Sequence, residues 1–524
     1  MMKVSRRNFL AASSASAAAM GSIAPQFSIA QSLQKVPLKS NNKVLVYIML
    51  DGGNDSFNML VPTSASHYAQ YSSTRDNLAV PLADLLSLNG FSDSEGRSFG
   101  VHKAMPEVQS LFNNKKLSFV ANVGPLVEPV DRAGMQAGTA KLPLGLLSHS
   151  DQFKHWLTGR PDERTNTGWF GRFADSVQAN RQANQIPMNI SLAGSNILQN
   201  GADSTHYTVN KKGSVGLAVK DKSTPANQAL NNALLAGFEA MLNQSYGDDP
   251  MRAAYIAQTR ESQAQHERFK AATNTVTLSS AFSDSNLSQQ LKKVAESIAS
   301  ADQMNLQQQT YFLRYIGWDH HDGLLDKHPK MLSILSKALF EFQRALEELN
   351  VEDRVITFTG SDFGRTLTSN GNGSDHGWGG NAIVMGEPVD GGKVFGEFPS
   401  LELGNNNPLD GGDGMLIPSM PLDEMFAELA IWYGVEGSDV KTLLPNIEKF
   451  GGIEHRKVPV GFALKSSDVT VLPASAPGSA TAVPTMGAAA SAVTMGGLAL
   501  LAKSYHRRMD VVDSEDQEIE ADNR

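Results

Sequence analysis

KVLVYIML, residues 43–50, is an unbroken run of apolar, strand-forming side chains, and the polar turn DGGND follows it at residues 51–55. A strand that helices cover on both faces shows no alternation of polar and apolar residues, so this run is typical of a central strand in a parallel sheet. Ligands of such sheets bind beyond the carboxyl ends of the strands. The sequence therefore predicts that functional side chains follow directly after Leu50.

Further apolar runs of the same form, each closed by glycine or a polar turn, are LSFVANVG at 117–124, TYFLRYIG at 310–317, RVITFTG at 354–360 and NAIVMG at 381–386. Helical patterns lie before or between them at 104–113, 287–304 and 331–349. This alternation predicts an α/β fold with a doubly wound, mostly parallel sheet and helices on both faces. The predicted α/β domain extends over residues 31–465.

Between about 198 and 285 the composition shifts to Asn, Gln, Ser and Ala, with helical stretches and no strong strand. We interpret this stretch as a helical cap inserted over the sheet. No internal repeat is evident.

The N-terminus carries an export signal at residues 1–30. The arginine pair at 6–7 precedes Phe9-Leu10, an Ala/Ser-rich run follows, and Ser28-Ile29-Ala30 resembles a cleavage site. These features are typical of the twin-arginine pathway, which exports folded proteins. We therefore expect the twin-arginine translocase as a partner and the periplasm or cell envelope as the location.

The C-terminus allows two interpretations. After a Ser/Ala/Pro-rich linker at 466–484 comes a segment at 485–508, which is uncharged up to residue 502 and then basic, followed by an acidic tail at 509–524. The segment is close to the ~20 residues that span a bilayer, and its trailing arginines suit a cytoplasmic end. It is either a membrane anchor or sorting signal, or a flexible linker with a loosely helical end.

Charge and cysteine content exclude several classes of function. The net charge is -9 and no basic stripe occurs outside the termini, which argues against a nucleic-acid partner. The chain has no cysteine, which excludes disulfides, thiolate metal sites and a cysteine nucleophile.

Ionisable side chains gather where the predicted strands end. Carboxylates and imidazoles that meet at one edge of a sheet are ligands for Zn²⁺, Mn²⁺, Mg²⁺ or Ca²⁺, so we expect one or two divalent ions. A single aspartate after a strand is more simply a turn or helix-capping residue, the interpretation we give to Asp55, Asp322 and Asp375. The residues in question are Asp51, Asn54 and Asp55; Asp319, His320, His321 and Asp322; Asp362 and Arg365; and Asp375 and His376.

Six motifs between residues 43 and 448 occur in a specific order: DGGNDSFNMLVP, FGVHKAM, LLSHSDQFKHWLTG, GWDHH, TGSDFGRT and DHGWGGNA. Together they resemble a family of twin-arginine-exported bacterial proteins of unknown function, which is grouped with the alkaline phosphatase and sulfatase superfamily. That resemblance implies an α/β fold of this superfamily and a metal-dependent hydrolase of phosphoric or sulfuric esters.

The resemblance also implies roles for individual residues. Asp51 and Asp362 resemble the two carboxylates of one metal site, and Asp319, His321 and His376 resemble the Asp-His-His set of the other. The helix opened by LSHSDQF is similar to the nucleophile helix of sulfatases, which puts the nucleophile position near Ser148, His149 or Ser150. Where the superfamily has a histidine ligand after the second carboxylate, this chain has Phe363.

Arg365 has two interpretations: a bidentate fork on substrate oxygens, or a salt bridge to a neighbouring carboxylate.

Two functions follow from these patterns. The first is an exported metal-dependent hydrolase or transferase that acts on a phosphate or sulfate ester. The alternative is a non-catalytic envelope protein that keeps the fold and binds a polymer or protein partner, an interpretation favoured by Phe363 and the C-terminal segment. An α/β-hydrolase is disfavoured because no G-x-S-x-G elbow follows a strand.

Overall fold

The computed structural model describes residues 43–177, 185–214, 225–245, 248–451 and 459–464. The signal peptide, the linker, the 485–508 segment and the acidic tail predicted from the sequence lie outside these residues. The strands within the described residues are β1 Val44–Asp51, β2 Leu60–Pro62, β3 Leu85–Ser87, β4 Phe99–His102, β5 Leu117–Gly124, β6 Asn189–Ser191, β7 Tyr207–Asn210, β8 Gly213–Ser214, β9 Gln309–Ile316, β10 Val355–Ser361, β11 Gly380–Met385, β12 Val394–Phe395 and β13 Met420–Pro421.

The helices of the same residues range from one turn to seven. Short 3-10 helices occur at Asp76–Leu78, Leu82–Asp84, Glu352–Arg354, Gly437–Asp439 and Pro445–Phe450. The α-helices are α1 Ser56–Met59, α2 Ala65–Arg75, α3 Pro106–Asn113, α4 Arg132–Gln136, α5 His149–Thr158, α6 Trp169–Val177, α7 Pro225–Asn243, α8 Pro250–Thr273, α9 Asn286–Ala299, α10 Leu324–Glu348, α11 Leu422–Tyr433 and α12 Val440–Leu443.

A ten-stranded sheet forms the centre of the fold, in the order β12-β5-β11-β10-β1-β9-β6-β7-β8, with β13 also paired to β5. The strand β1 runs parallel to both of its neighbours, β9 and β10. The strand β11 is antiparallel to β10 and to β5. A smaller sheet has the order β2-β4-β3. The predicted α/β fold with a mostly parallel sheet is confirmed.

Alternate side chains of β1 enter two different cores, which explains why the run at 43–50 is apolar throughout. Val46 and Ile48 pack in a core that contains residues of α9 and α10. Tyr47 and Met49 pack in a core that contains residues of α5, α6 and α11. Helices therefore cover both faces of the sheet, as the doubly wound prediction requires.

The strand directions bring five chain segments to one edge of the sheet. The parallel strands β1, β9 and β10 end there, and β11 begins there because it runs in the opposite direction. The strand β5 also ends at this edge, since it is antiparallel to β11. The chain after β5 leads to α5, so the loops after four strands, the loop before β11 and the start of α5 can meet.

The stretch from 198 to 285 contains two short strands, β7 and β8, as well as the helices α7 and α8. The strand β7 pairs in parallel with β6 and so extends the sheet at its edge. The two strands have only four and two residues, which is too short for an alternating pattern to stand out in the sequence. A capping role for this stretch stays a prediction.

Glu428 of α11 binds the last described segment of the chain. Its carboxylate is buried and accepts backbone N–H groups from Val460, Gly461, Ala463 and Leu464 at 2.6–3.1 Å. Four donors satisfy a buried carboxylate without a cationic partner. Residues 459–464 are thereby fastened to the helix.

Among the described residues, no helix combines the length and the apolar character needed to cross a bilayer.

Candidate metal centre

Four side chains from two loops and one helix converge at the edge of the sheet where β1, β9 and β10 end. One ligand atom each from His149, Asp319 and His376 lie within 4.8 Å of one another. His321 joins them, since its Nε2 lies 3.2 Å from Oδ1 of Asp319 and 2.9 Å from Nε2 of His376. We call His149, Asp319, His321 and His376 the imidazole cluster.

Two of the imidazoles turn unprotonated nitrogens toward each other. Nδ1 of His376 lies 2.7 Å from the carbonyl oxygen of Leu147, which can only accept, so Nδ1 carries the proton. Nδ1 of His321 lies 2.9 Å from Oδ1 of Asp375. The hydrogen bond from Asn370 lowers the pKa of Asp375, so this carboxylate is ionised and accepts as well. The two Nε2 atoms lie 2.9 Å apart, and Nε2 of His321 also lies 3.4 Å from NH1 of Arg365. Because both Nδ1 atoms are engaged by acceptors, each Nε2 can offer its lone pair to a cation bound between the two rings.

His149 is oriented in the same way. It is the first residue of α5, and its Nδ1 lies 2.7 Å from Oδ2 of the buried Asp362. The hydrogen bond that His149 donates to Asp362 raises the pKa of His149. Nε2 of His149 is buried without a hydrogen-bond partner among the described residues and lies 3.5 Å from Oδ2 of Asp319. A proton on Nδ1 leaves this Nε2 free to act as a metal ligand.

The separations of these atoms suit a bound divalent ion. Two donors that are each about 2.0–2.1 Å from a tetrahedral ion lie about 3.3 Å apart. The Nε2 atoms of His149, His321 and His376 lie 3.5, 3.2 and 3.8 Å from carboxylate oxygens of Asp319. Three imidazoles and one carboxylate favour Zn²⁺ or another borderline ion over Mg²⁺ or Ca²⁺, which prefer oxygen ligands. The donor set and the unpartnered Nε2 of His149 both fit a metal.

Arg365 lies beneath the cluster and has no exposed side-chain surface. It forms an ion pair with Asp319 and donates from Nε to the carbonyl of Gly53 and from NH2 to that of Gly52, at 2.9 and 2.8 Å. Its NH1 donates to the carbonyl of Ser374 at 2.9 Å. This arrangement corresponds to the salt-bridge alternative, and it leaves no surface with which Arg365 could contact a substrate.

The partnership with Arg365 keeps Asp319 ionised. Partial burial acts to raise the pKa of Asp319, but the hydrogen bond and charge of Arg365 outweigh it, and the net pKa is below the usual range. Gly52 allows this close approach, since its φ is 120° and an added Cβ would lie 2.6 Å from the backbone nitrogen of Asp319.

The two carboxylates predicted for a second metal have protein partners instead. Asp51 pairs with Arg314, whose Nε lies 2.7 Å from Oδ2. Asp362 accepts from His149 and, at 3.2 Å, from the backbone nitrogen of Gly52. Neither carboxylate belongs to the imidazole cluster, and the structure brings together only Asp319, His321 and His376 from the predicted ligands.

The aromatic ring of Phe363, the residue directly after Asp362, packs against two imidazoles of the cluster. Its centroid lies 4.7 Å from that of His149 and 4.5 Å from that of His376. The ring thus supplies an apolar wall to the cluster and no ligand.

The serines on either side of His149 lie near the surface. Ser148 is half-buried and Ser150 is exposed, and their hydroxyl oxygens lie 3.2 Å apart. Three residues were candidates for the nucleophile position. The ring of His149 is part of the cluster, so the hydroxyl groups of Ser148 and Ser150 are the two remaining candidates.

Sequence reasoning missed three contributors to the site. Leu147 is one of the non-glycine residues with positive φ, 72°, a conformation that nothing in the sequence marks. Asp375 was interpreted as a turn residue, although its position directly before His376 was a usable signal. Arg314 interrupts the apolar run at 310–317, and a charge inside a buried strand was a second signal.

Comparisons with known proteins give a family and several solved structures. A family model described as "Protein of unknown function (DUF1501)" matches residues 42–410. No curated protein matches the chain. Ps i-CgsB is similar at 11% identity over 72% of this chain and 76% of that one, with a TM-score of 0.29. The lipoteichoic acid synthase LtaP from Listeria monocytogenes is similar at 9% identity over 72% and 71% of the two chains, with a TM-score of 0.26. A variant of the alkaline phosphatase PafA is similar at 12% identity over 62% and 64%, with a TM-score of 0.24.

Proposed function

The chain belongs to the DUF1501 family of proteins of unknown function, and we propose that it is a metal-dependent hydrolase or transferase acting on a phosphate or sulfate ester. The observation that carries the proposal is the imidazole cluster. Its three imidazoles each have Nδ1 fixed by an acceptor, and their Nε2 atoms face one carboxylate.

His149, Asp319, His321 and His376 would hold the ion. A bound divalent metal supplies a Lewis acid that stabilises negative charge developing on the oxygens of a phosphoryl or sulfuryl group. The other side chains fix the ligands: Asp362, Asp375 and the carbonyl of Leu147 orient the imidazoles, and Arg365 holds Asp319. Hydrogen bonds of this kind set the tautomer and the direction of a metal-binding histidine.

The start of α5 supports an anionic substrate. His149 is the first residue of this ten-residue helix, and the backbone N–H groups of a first helical turn carry partial positive charge. An ion held by the cluster and the helix terminus would together offer positive potential at the same place, which suits a tetrahedral anion. Ser148 or Ser150 would supply the attacking hydroxyl in a transferase, or in a hydrolase that forms a covalent intermediate.

The proposed activity belongs in the cell envelope, because the twin-arginine signal at residues 1–30 would export the folded chain. The substrate ester would then be one that occurs outside the cytoplasm.

A second candidate function is a metal-binding envelope protein without catalytic activity, which binds a polymer or protein partner. It is favoured by the pairing of Asp51 with Arg314 and by the complete burial of Arg365. The family resemblance implies a ligand role for Asp51, and a fork on substrate oxygens is one of the two interpretations of Arg365. In the structure both side chains form ion pairs within the fold.

Turnover of simple esters tests the two candidates. Zinc- and manganese-loaded protein would be assayed on aryl phosphates, phosphodiesters and aryl sulfates, beside the His321→Ala variant and the double variant Ser148→Ala/Ser150→Ala. We expect turnover that falls at least about 100-fold in His321→Ala, because a metal ligand is lost. Loss of turnover in the double variant, compared with wild type, would assign the nucleophile to one of the two serines.

Turnover that is equal in wild type and His321→Ala would contradict the proposed function. A metal-loaded protein that turns over none of the three ester classes but binds an envelope polymer would favour the second candidate.

A further inference from the structure

Arg314 projects from β9 beside the imidazole cluster. It lies two residues before the end of the strand, where β9 pairs with β1 and Ile316 is opposite Asp51. Its Nε and NH2 both donate to Oδ2 of Asp51, and its guanidinium carbon lies 5.0 Å from the ring centroid of Phe153. Phe153 is one helical turn after His149 on α5, so Arg314 packs against the helix that carries a ligand of the cluster.

The pairing neutralises one member of a carboxylate pair. Asp51 is the last residue of β1 and Asp362 directly follows β10, and the two strands are adjacent and parallel. Asp362 accepts the backbone N–H of Gly52, the residue directly after Asp51, at 3.2 Å. Two carboxylates at the ends of adjacent parallel strands repel each other, and a divalent ion is one way to neutralise them. Here the guanidinium of Arg314 provides positive charge at Asp51, and the imidazole of His149 forms a hydrogen bond with Asp362.

Arg314 is also held firmly enough to compete with an ion. Two donors on one carboxylate oxygen combine charge with directional hydrogen bonds, and the aromatic ring of Phe153 stabilises the cation from the side. The side chain is 38% exposed, and no acceptor for its NH1 occurs among the described residues. An ion at Asp51 would first have to displace the guanidinium.

We propose that the guanidinium of Arg314 stands in place of a second metal ion, so that this site binds one divalent cation at the imidazole cluster and none between Asp51 and Asp362. The proposal rests on the proposed function only in that both require a cation at the cluster.

Zinc stoichiometry tests the substitution. The full chain would be stripped with a chelator and dialysed against Zn²⁺, and zinc per chain would be measured by mass spectrometry with calorimetric titration as the second readout. We expect one equivalent for wild type and two for Arg314→Met, which removes the charge at similar size. The second equivalent is expected to disappear when Asp51→Asn is added to Arg314→Met.

Two further variants separate charge from folding. Arg314→Lys keeps a cation on Asp51 and should bind one equivalent, and thermal unfolding of each variant shows whether the domain is intact. Arg164→Met is the matched control. Arg164 pairs with Asp151 of α5 at 3.5 Å, but its side chain is 80% exposed. This variant should bind one equivalent.

Two equivalents in wild type would overturn the proposal, and so would a single equivalent in a folded Arg314→Met variant. No zinc in either protein would overturn it together with the proposed function. Absence of ester turnover in fully loaded protein would contradict the proposed function alone, because the zinc counts do not depend on catalysis.

Discussion

The ion pair between Asp55 and Arg75 and the imidazole cluster are both supported by the loop after β1, which contains Asp55 and the two glycines whose carbonyls hold Arg365. The two regions use their polar atoms differently. Arg75 is fully buried and donates from NH2 to Asp55, from Nε to Asn58, and from NH1 to the carbonyls of Thr366 and Leu367. In the cluster, the side chains are between 25% and 47% exposed and the Nε2 atoms face one another. Donors that are all engaged inside the protein stabilise the fold, whereas converging imidazole nitrogens and a carboxylate can bind a cation from outside it.

The largest expected effect is on stability, when the buried ion pair between Asp55 and Arg75 is removed. Arg75→Met leaves the carboxylate of Asp55 buried without its cation, and we expect the free energy of unfolding to fall by about 3–5 kcal/mol. Urea denaturation of metal-free protein measures this. Lys103→Met is the control, since the pair of Lys103 with Asp84 is exposed and should contribute at most about 1 kcal/mol. Equal losses in the two variants would show that burial does not distinguish these ion pairs.

The next effect is on metal binding by the imidazole cluster, with the fold left intact. His321→Ala removes an imidazole whose side chain is 43% exposed, so the stability of metal-free protein should change little. Zinc affinity should fall by more than about 100-fold, since losing a ligand costs more than losing one of its supporting hydrogen bonds. Calorimetric titration measures the affinity. An unchanged affinity would exclude His321 from the ligands.

A smaller effect on zinc affinity is expected when a hydrogen bond that orients an imidazole of the cluster is weakened. Asp375→Asn keeps the shape of the side chain but removes the charge that holds Nδ1 of His321, and we expect zinc affinity to fall by about tenfold. Asp322→Asn is the matched control, because Asp322 accepts from Asn372 and contacts no imidazole of the cluster. A tenfold loss in the control as well would point to general electrostatics of the loop rather than to orientation of His321.

The smallest effect is the pH dependence of metal-free protein. The hydrogen bond that His149 donates to Asp362 raises the pKa of His149 above its usual 6.5. A raised histidine pKa means that the folded state binds the proton more tightly than the unfolded state. The stabilisation is complete below pH 6.5 and is lost as the pH rises through the folded pKa.

His149→Gln should therefore remove a small decline in stability above pH 6.5, which urea midpoints at a series of pH values would reveal. Zinc affinity in wild type should rise over the same pH range, because the ion and the proton compete for His149. Parallel pH profiles for wild type and His149→Gln would contradict this account.

Much of the sheet could be predicted because its central strands are buried on both faces. The runs at 43–50, 117–124 and 354–360 lie within one residue of β1, β5 and β10 at each end. Length and continuous apolarity identify such strands without any alternation. Strands of two residues, such as β12 and β13, carry no pattern at all, and only the surrounding fold determines them.

The site could be predicted from the sequence only in part. The strand-end rule placed Asp319, His321 and His376 at one edge of the sheet together with their polar neighbours, because strand direction alone brings such residues together. The family resemblance singled out these three as one ligand set, and the structure places them in one cluster. Side-chain pairing is a different problem. The partnership of Asp51 with Arg314 depends on strand register and on the direction in which each side chain points, and the carbonyl of Leu147 depends on a left-handed backbone.

The attachment of residues 459–464 to Glu428 has a mechanical consequence. A pull on the chain at Leu464 would load four hydrogen bonds in parallel at a single carboxylate, and would pass from there into α11 and the core against the sheet. Bonds loaded together resist force better than bonds that open one after another, as at the edge of a sheet that is peeled. If the C-terminal end tethers the protein to a surface, Glu428 is the point at which the domain takes up the tension.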